Sequence, residues 1–176
     1  MTESWTEIHE TCVKAIMLNI DYLSDLISDY EIPKLKNKID ALHNWENEHY
    51  NLLFHSVVCN NQKTFEALLR HGANPIVTNN RGFTILHLLI RRRLLTWAEL
   101  CIQYMSRDQQ KTFVNLATNN GWTPLMTAAE CGLVNFTKWL INHGADMNKQ
   151  LADGTTALEI SLKSSRLQIP NSQNCP

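Results

Sequence analysis

The histidines are the first residues to consider for chemistry, because imidazole nitrogens bind metal ions and transfer protons. His43, His49 and His55 are spaced six residues apart, which fits neither one face of a helix nor a common metal-binding pattern. The sequence contains no glycine-rich phosphate loop, no G-x-S-x-G and no H-E-x-x-H. It therefore predicts a protein that is not an enzyme, with no catalytic site, no cofactor and no metal site.

Charged residues are distributed unevenly along the chain, although the formal net charge is only −1. Residues 1–50 carry 10 acidic and 4 basic side chains, residues 51–117 carry 3 and 8, and residues 118–176 carry 4 of each. The basic segment includes Arg91-Arg92-Arg93, directly after the apolar run ILHLLI. The small net charge argues against a dedicated nucleic-acid binder, and the uneven distribution bears on the choice of protein partners.

Cysteine usage and hydropathy indicate the compartment. The five cysteines are scattered, with no C-x-x-C pair, which favours reduced thiols in the cytoplasm or nucleus. Six acidic residues among the first 30 exclude the apolar region of a signal peptide. No apolar run approaches the roughly 20 residues that cross a membrane. We therefore predict a soluble intracellular protein, cytoplasmic or nuclear, with no membrane partner.

The elements that position these residues recur along the chain. Four helix-opening residues stand at intervals of 33, 39 and 33 positions, and each is followed two residues later by a leucine. The opening residues are Asn51, Thr84, Thr123 and Thr156. A Thr or Asn side chain at this place accepts a hydrogen bond from a free N–H of the first helical turn. A second helix follows, ended by Gly72 or Gly144, and such helix pairs are predicted to stack because one pair cannot bury its apolar face alone.

Residues 121–148 read GWTPLMTAAECGLVNFTKWLINHGADMN, with G-x-T-P-L, paired alanines, a mid-repeat glycine and a closing G-A-D-x-N. This unit resembles the ankyrin repeat, and the resemblance extends, with departures, over residues 47–163. It implies an all-α fold class. The expected architecture is an ankyrin-repeat solenoid of helix-turn-helix units linked by β-hairpin loops, with a helical N-terminal cap.

The resemblance also implies a division of the chain. The predicted segments are an acidic helical N-terminal cap (1–46), an ankyrin repeat (47–77), a divergent repeat with about six extra residues (78–117), an ankyrin repeat (118–150), a partial C-terminal repeat (151–169) and a polar tail (170–176). The N-terminal residues allow two interpretations. They form either a degenerate capping repeat with an inserted helix over 33–45, or a helical cap unrelated to ankyrin repeats. Either would cover the open end of a stack.

The residue before the capping Thr lies, in the ankyrin family, at the mouth of the hairpin and faces the concave side. Tyr50, Phe83 and Trp122 occupy this position in three consecutive units, and Thr155 occupies it in the fourth. Aromatic side chains and arginines are the usual anchors of protein interfaces. The three rings therefore predict a partner-binding surface. The alternative is that each ring packs against its neighbouring hairpin and stiffens the stack.

Arginines border the same predicted surface. Arg91 and Arg92 end the inner helix of the divergent repeat, and Arg81 belongs to the preceding hairpin. We predict that they supply charge-assisted hydrogen bonds to an acidic peptide segment. Two alternatives stay open: the arginines form an ordinary solvated face, or the acidic N-terminal residues of the same chain compete for this basic region.

The predicted function is non-catalytic binding of another protein, or of an acidic peptide segment, through the concave face of a monomer that binds no nucleic acid. The alternatives are a regulatory inhibitor, a pathogen or viral effector that masks a host protein, or the targeting domain of a larger enzyme or channel. Asn148, with Leu140 and Asp146, also has the spacing of ankyrin asparagines that are hydroxylated by an asparaginyl hydroxylase. The alternative is that Asn148 only satisfies the hairpin backbone.

Overall fold

The computed structural model describes residues 43–45 and 48–166. The described residues belong to two compact units, divided between Asn79 and Asn80. The predicted N-terminal cap lies outside the described residues except at positions 43–45, and so does the polar tail.

In the first unit, the described residues begin with a short β-hairpin. Strand β1 (His43–Trp45) pairs antiparallel with strand β2 (Glu48–Tyr50), and His43 stands opposite Tyr50. One of the two interpretations of the N-terminal residues placed an inserted helix over 33–45, and its last three residues form strand β1 instead. The apolar spacing that suggested a helix does not continue through these three residues, and their backbone groups pair across the hairpin. Residues 33–42 lie outside the described residues.

Two helices follow the hairpin in the first unit. Helix α1 (Leu52–Val58) begins after Asn51, whose side-chain oxygen accepts a hydrogen bond from the N–H of Phe54 at 3.1 Å. Helix α2 (Gln62–Arg70) is capped by Asn61 in the same way. The two helices bury their large apolar residues, which are Leu53, Phe54, Phe65, Leu68 and Leu69. The helix pair predicted from the sequence is therefore present.

The described residues of the second unit, 80–166, form six helices. They are α3 (Ile85–Arg91), α4 (Leu95–Gln103), α5 (Arg107–Asn115), α6 (Pro124–Glu130), α7 (Val134–Asn142) and α8 (Ala157–Arg166). Helix α6 packs against α3, α5, α7 and α8. Its Leu125, Met126 and Ala128 are buried, so α6 supplies the centre of the apolar core of this unit.

The helix openings predicted from the sequence are confirmed by cap geometry. Thr123 accepts the N–H of Met126 at 3.2 Å, and Pro124 occupies the first turn, where no donor is required. Thr156 accepts the N–H of Glu159 at 3.4 Å, while the Glu159 carboxylate accepts the N–H of Thr156 at 2.7 Å. This reciprocal pair is a capping box, and it fixes the start of α8.

The extra residues of the divergent repeat form helix α5. Ser106 accepts the N–H of Gln109 at 3.3 Å, and the Gln109 amide oxygen accepts the N–H of Ser106 at 2.9 Å. At the other end of α5, Asn115 donates to the carbonyl of Gly144 at 2.9 Å and accepts the N–H of Asp146 at 2.7 Å. The inserted helix is therefore hydrogen-bonded to the turn that follows α7, and the longer spacing between Thr84 and Thr123 is accommodated.

The leucines two positions after each helix opening differ in burial. Leu53, Leu86 and Leu125 expose 0%, 0% and 3% of their surface, whereas Leu158 exposes 67%. Leu162, one turn further along α8, is also exposed. The apolar spacing of the repeat therefore continues onto α8, but on this helix it faces solvent.

Candidate functional site

The connecting segments that precede α3 and α6 are joined by backbone contacts. The N–H of Asn119 donates to the carbonyl of Arg81 at 3.0 Å, and its side-chain amide donates to the carbonyl of Asn80 at 2.9 Å. Gly82 has φ of +78°, and a Cβ atom there would lie 2.7 Å from the Asn119 nitrogen. Only glycine fits between the two segments without displacement, so the positions of Phe83 and Trp122 are determined together.

His87 links these segments through its side chain. The N–H of Thr84 donates to His87 Nδ1 at 3.3 Å, and Thr84 Oγ1 lies 2.9 Å from the same atom. Since a backbone N–H can only donate, Nδ1 is an acceptor and the ring proton is on Nε2. Nε2 then donates to the carbonyl of Trp122 at 3.2 Å. The histidine expected to be a structural hydrogen-bonding residue has that geometry.

The protonation state of His87 follows from its burial. Desolvation lowers the pKa of this imidazole from 6.5 to about 4, and the positive charge of Arg91 acts in the same direction. The hydrogen bond to the Trp122 carbonyl opposes the shift but does not reverse it. His87 is therefore neutral near pH 7, and it contributes a fixed donor without adding positive charge.

Phe83 is held between two side chains of α3. Its ring meets the His87 ring edge-on, with centroids 5.4 Å apart, and the guanidinium carbon of Arg91 lies 5.7 Å from the Phe83 centroid. Phe83, Arg91 and Trp122 are all half-buried. We name these three residues, with the buried His87 among them, the His87 cluster. Half-exposed rings and a guanidinium held in fixed positions can contact another molecule at little entropic cost.

Two donors of the His87 cluster are buried and unpaired. Arg91 Nε and Trp122 Nε1 have no hydrogen-bond partner within the part of the chain that the structure describes. Buried N–H groups are normally paired, so each unpaired one requires an explanation.

The remaining predicted contact residues are placed as follows. Arg81 and Arg92 are exposed, and both belong to the second unit. Tyr50 ends strand β2 in the first unit, and its side chain is not among those described. The structure thus brings together Phe83, Arg91 and Trp122. The predicted row of three rings also included Tyr50, and its place in that row stays a prediction.

The other sequence candidates lie in turns. Asn148 is exposed, and its N–H donates to the Asp146 carboxylate at 2.9 Å. Thr155 is half-buried, and its N–H donates to the Asp153 carboxylate at 2.9 Å. These backbone contacts are ordinary turn interactions. They leave the hydroxylation of Asn148 as a prediction.

A shallow depression of about 320 Å³ lies between the turns that follow α3 and α6. It is lined by Arg93, Leu95 and residues 132–136. Arg93 has φ of +60°, the left-handed region that Asn60 and Gly132 adopt at the equivalent positions of their repeats. The last arginine of the triplet is therefore in a backbone conformation that disfavours a side chain.

The cysteines differ in state. Cys101 is a buried thiol, and burial raises its pKa well above the ordinary value. Cys131 is disulfide-bonded. The prediction of reduced thiols is therefore wrong for Cys131, because the spacing of cysteines in a sequence does not reveal which of them meet in space.

Sequence reasoning missed the contacts that assemble the His87 cluster. His87 and Arg91 are four residues apart on one side of α3, and Phe83 lies four residues before His87; this spacing was a signal that the three are neighbours. The bond from His87 to Trp122 had no such signal, since it joins residues 35 positions apart.

No metal-binding or membrane-spanning feature is found in the described residues. They contain no group of three or more His, Cys, Asp or Glu side chains that could hold a metal ion. None of the helices within them has the length and apolar content to cross a membrane.

Paired short helices opened by Asn or Thr caps at recurring positions define a helical repeat protein. Residues 99–170 match the family model for ankyrin repeats in three copies. Rat NF-kappa-B inhibitor alpha is 30% identical over 111 residues, which covers 62% of this chain and 35% of that protein. Human ankyrin repeat domain-containing protein 53 is 40% identical over 99 residues, which covers 54% and 18%.

A viral relative shows the same likeness. Ankyrin repeat protein L371 of Acanthamoeba polyphaga mimivirus is 28% identical over 96 residues, which covers 54% of this chain and 12% of that protein. Residues 99–170 therefore carry ankyrin repeats, as the resemblance of the sequence implied. It spans from 12% to 35% of the length of these three relatives. Ankyrin repeats are protein-interaction modules and are generally non-catalytic.

Proposed function

We propose that this protein is a non-catalytic recognition module that binds a partner protein through the His87 cluster and the arginines beside it. The observation that carries the proposal is the fixed arrangement of Phe83, Arg91 and Trp122 around a buried, neutral histidine. Aromatic residues and arginines dominate the energetics of protein interfaces.

Electrostatics support an acidic partner segment. Arg81 and Arg92 are exposed, and no acidic residue occurs between positions 81 and 93. A segment that carries Asp or Glu would therefore meet only attractive charges along this stretch of the chain. Tyr50 is proposed as a further contact from the first unit. We propose a protein as the partner rather than nucleic acid or a membrane, and we propose that the chain acts as a monomer in the cytoplasm or nucleus.

Capture of partners from a cell lysate by the full chain tests the proposal. One double variant, Phe83→Ala with Trp122→Ala, removes the rings, and a second, Arg91→Glu with Arg92→Glu, reverses the charge. Both are expected to abolish specific capture. The matched control is Lys138→Glu with Lys149→Glu, which makes the same charge change on exposed residues elsewhere.

Thermal unfolding distinguishes recognition from stability. Reduced capture by the two test variants, with unfolding temperatures near that of the parent, supports a binding surface. Unchanged capture together with a large fall in unfolding temperature shows that the rings only stiffen the stack, and it overturns the proposal.

A second candidate is regulatory inhibition by masking a partner's surface. The observation that favours it is the likeness to a protein named as an inhibitor, NF-kappa-B inhibitor alpha. The likeness to a mimivirus protein likewise supports masking of a host protein by a viral effector. A competition assay decides between these roles and simple scaffolding, since a masking protein displaces the partner's other ligands whereas a scaffold leaves them bound.

Hydroxylation of Asn148 is proposed as a separate modification. Its support is the exposure of the side chain in the turn after α7. Mass spectrometry of the protein from cells, with Asn148→Ala as the control, would detect the added oxygen, and an unmodified peptide under aerobic conditions would contradict the proposal.

A further inference from the structure

The two unpaired donors of the His87 cluster indicate what kind of group the partner contributes. Arg91 Nε–H and Trp122 Nε1–H are buried without an acceptor among the described residues. A buried donor without an acceptor is unfavourable, because it has lost its hydrogen bonds to water and gained none in return. A partner that supplies oxygen acceptors at these two atoms removes that penalty.

Resting on the proposed function, we infer that Arg91 Nε–H and Trp122 Nε1–H are anchor donors for the carboxylates of an acidic segment of the bound partner. One contact within the cluster involves the Arg91 side chain, and another involves the Trp122 backbone. The Arg91 guanidinium is 5.7 Å from the Phe83 centroid, and the Trp122 carbonyl is 3.2 Å from His87 Nε2. Because both donor atoms are buried, a partner oxygen reaches them only when a side chain that covers them moves aside.

The charge of the surroundings selects a carboxylate over a neutral acceptor. Among the described residues no carboxylate forms an ion pair with Arg91 or Arg92; the ion pair observed there joins Arg70 and Glu66. His87 is neutral, so Arg91 provides the positive charge inside the cluster. Hydrogen bonds from a guanidinium to a carboxylate are about twice as strong as those between neutral groups.

The two anchors make different contributions. Arg91 supplies charge and a directional donor, which lysine cannot reproduce because it lacks the planar guanidinium. Trp122 supplies a single neutral donor on a large apolar ring. Trp122→Phe keeps an aromatic ring but removes the indole donor, and Arg91→Lys keeps the positive charge but removes the guanidinium. The two substitutions therefore test the donors and not the bulk or the net charge of the site.

Nuclear magnetic resonance of the full-length 15N-labelled chain tests the inference. The probes are an acetylated peptide of glutamate residues and its glutamine counterpart of equal length. The Trp122 indole signal is assigned by its loss in Trp122→Phe, and the Arg91 Nε signal by its loss in Arg91→Lys. The glutamate peptide is expected to move both signals, and the glutamine peptide is expected to leave them in place.

Binding constants for the glutamate peptide complete the test. Trp122→Phe and Arg91→Lys are each expected to weaken binding by roughly fivefold or more. The matched control Arg107→Lys retains the charge of an exposed arginine on α5 and is expected to stay within about twofold of the parent. Equal binding by the parent and both anchor variants, equal shifts with the two peptides, or no binding of the glutamate peptide would each overturn the inference.

Two further outcomes separate this inference from the proposed function. If capture of partners depends on the Phe83 and Trp122 rings but is unaffected by Trp122→Phe and Arg91→Lys, the recognition surface stands and the carboxylate anchors do not. If the glutamate peptide binds only after Asp21, Asp25 and Asp29 are replaced by Asn, the chain's own acidic segment is the occupant, and the assignment to a partner is overturned.

Discussion

His87 and Trp122 are 35 positions apart in the chain, yet the imidazole Nε2 lies 3.2 Å from the tryptophan carbonyl oxygen. The same imidazole accepts the N–H of Thr84 at the start of its own helix. One neutral side chain therefore sets both the cap of α3 and the position of the segment that carries Trp122. The properties of the candidate site depend on this bridge.

The stability of the protein is expected to fall as the pH decreases from about 6.5 towards about 4, because His87 has a pKa of 6.5 when unfolded and about 4 when folded. Between these values the unfolded chain binds a proton that the folded chain does not. The loss attributable to protonation of His87 approaches roughly 3 kcal/mol at the low end, and the contribution of His87 no longer changes with pH above about pH 7.5.

Urea unfolding at several pH values measures this effect. His87→Gln should be less stable than the parent at neutral pH, because it loses the bridge, but its stability should change less with pH. Parallel pH profiles for the parent and the variant would contradict the assignment.

Gly82→Ala is expected to destabilise the protein more than Gly154→Ala. Both glycines have positive φ, +78° and +83°, so both substitutions carry a similar backbone strain of about 1 kcal/mol. A Cβ at Gly82 would also lie 2.6 Å from the Asn119 side-chain oxygen, whereas at Gly154 it would meet no atom within 4 Å. Because of this clash, Gly82→Ala should lower the free energy of unfolding, measured by chemical denaturation, by about 1–3 kcal/mol more than Gly154→Ala. Equal losses for the two variants would show that the two segments separate easily.

Arg93→Gly is expected to stabilise the protein by about 0.5–1 kcal/mol, because it relieves a left-handed backbone at φ of +60°. Arg92→Gly is the matched control. Arg92 has φ of −82°, an ordinary helical value, so glycine there adds only entropy to the unfolded chain and should be neutral or destabilising. Differential scanning calorimetry of both variants checks the sign. A loss of stability in Arg93→Gly would mean that the side chain of Arg93 contributes more than its strain costs.

Leu125→Ala and Leu158→Ala make the same chemical change at equivalent positions of two repeats. Leu125 is 3% exposed, so its truncation should cost about 2–5 kcal/mol. Leu158 is 67% exposed, so its truncation should cost less than about 0.5 kcal/mol. The free energies of unfolding in urea give the comparison directly. A large loss at Leu158 would indicate that this face is covered in solution.

The helix openings could be predicted from the sequence because they are local. Asn51, Thr84, Thr123 and Thr156 each satisfy an N–H or exchange hydrogen bonds within three residues, and such contacts depend on residue type and short spacing. Helix α5 was equally local and was missed, although Ser106 and Gln109 have the spacing of a capping box.

The candidate site was only partly predictable. The sequence supplied Phe83, Arg91 and Trp122 as candidates, because aromatic and arginine residues at a family-defined position can be read directly. The sequence could not show that Arg91 Nε and Trp122 Nε1 lack hydrogen-bond partners among the described residues. That property depends on which acceptor atoms lie near them in the folded structure. Strands β1 and β2 were missed for a similar reason, because three-residue strands carry almost no periodic pattern.

Leu158 and Leu162 repeat on α8 the spacing of apolar pairs that are buried in the earlier repeats, and they remain exposed. Helix α8 thus offers a splice point for protein engineering. A consensus repeat joined after α8 in register would find a complementary apolar surface already in place, and its addition should raise the unfolding temperature while leaving the His87 cluster untouched. The recognition surface and the number of repeats can then be varied independently in an engineered binding protein.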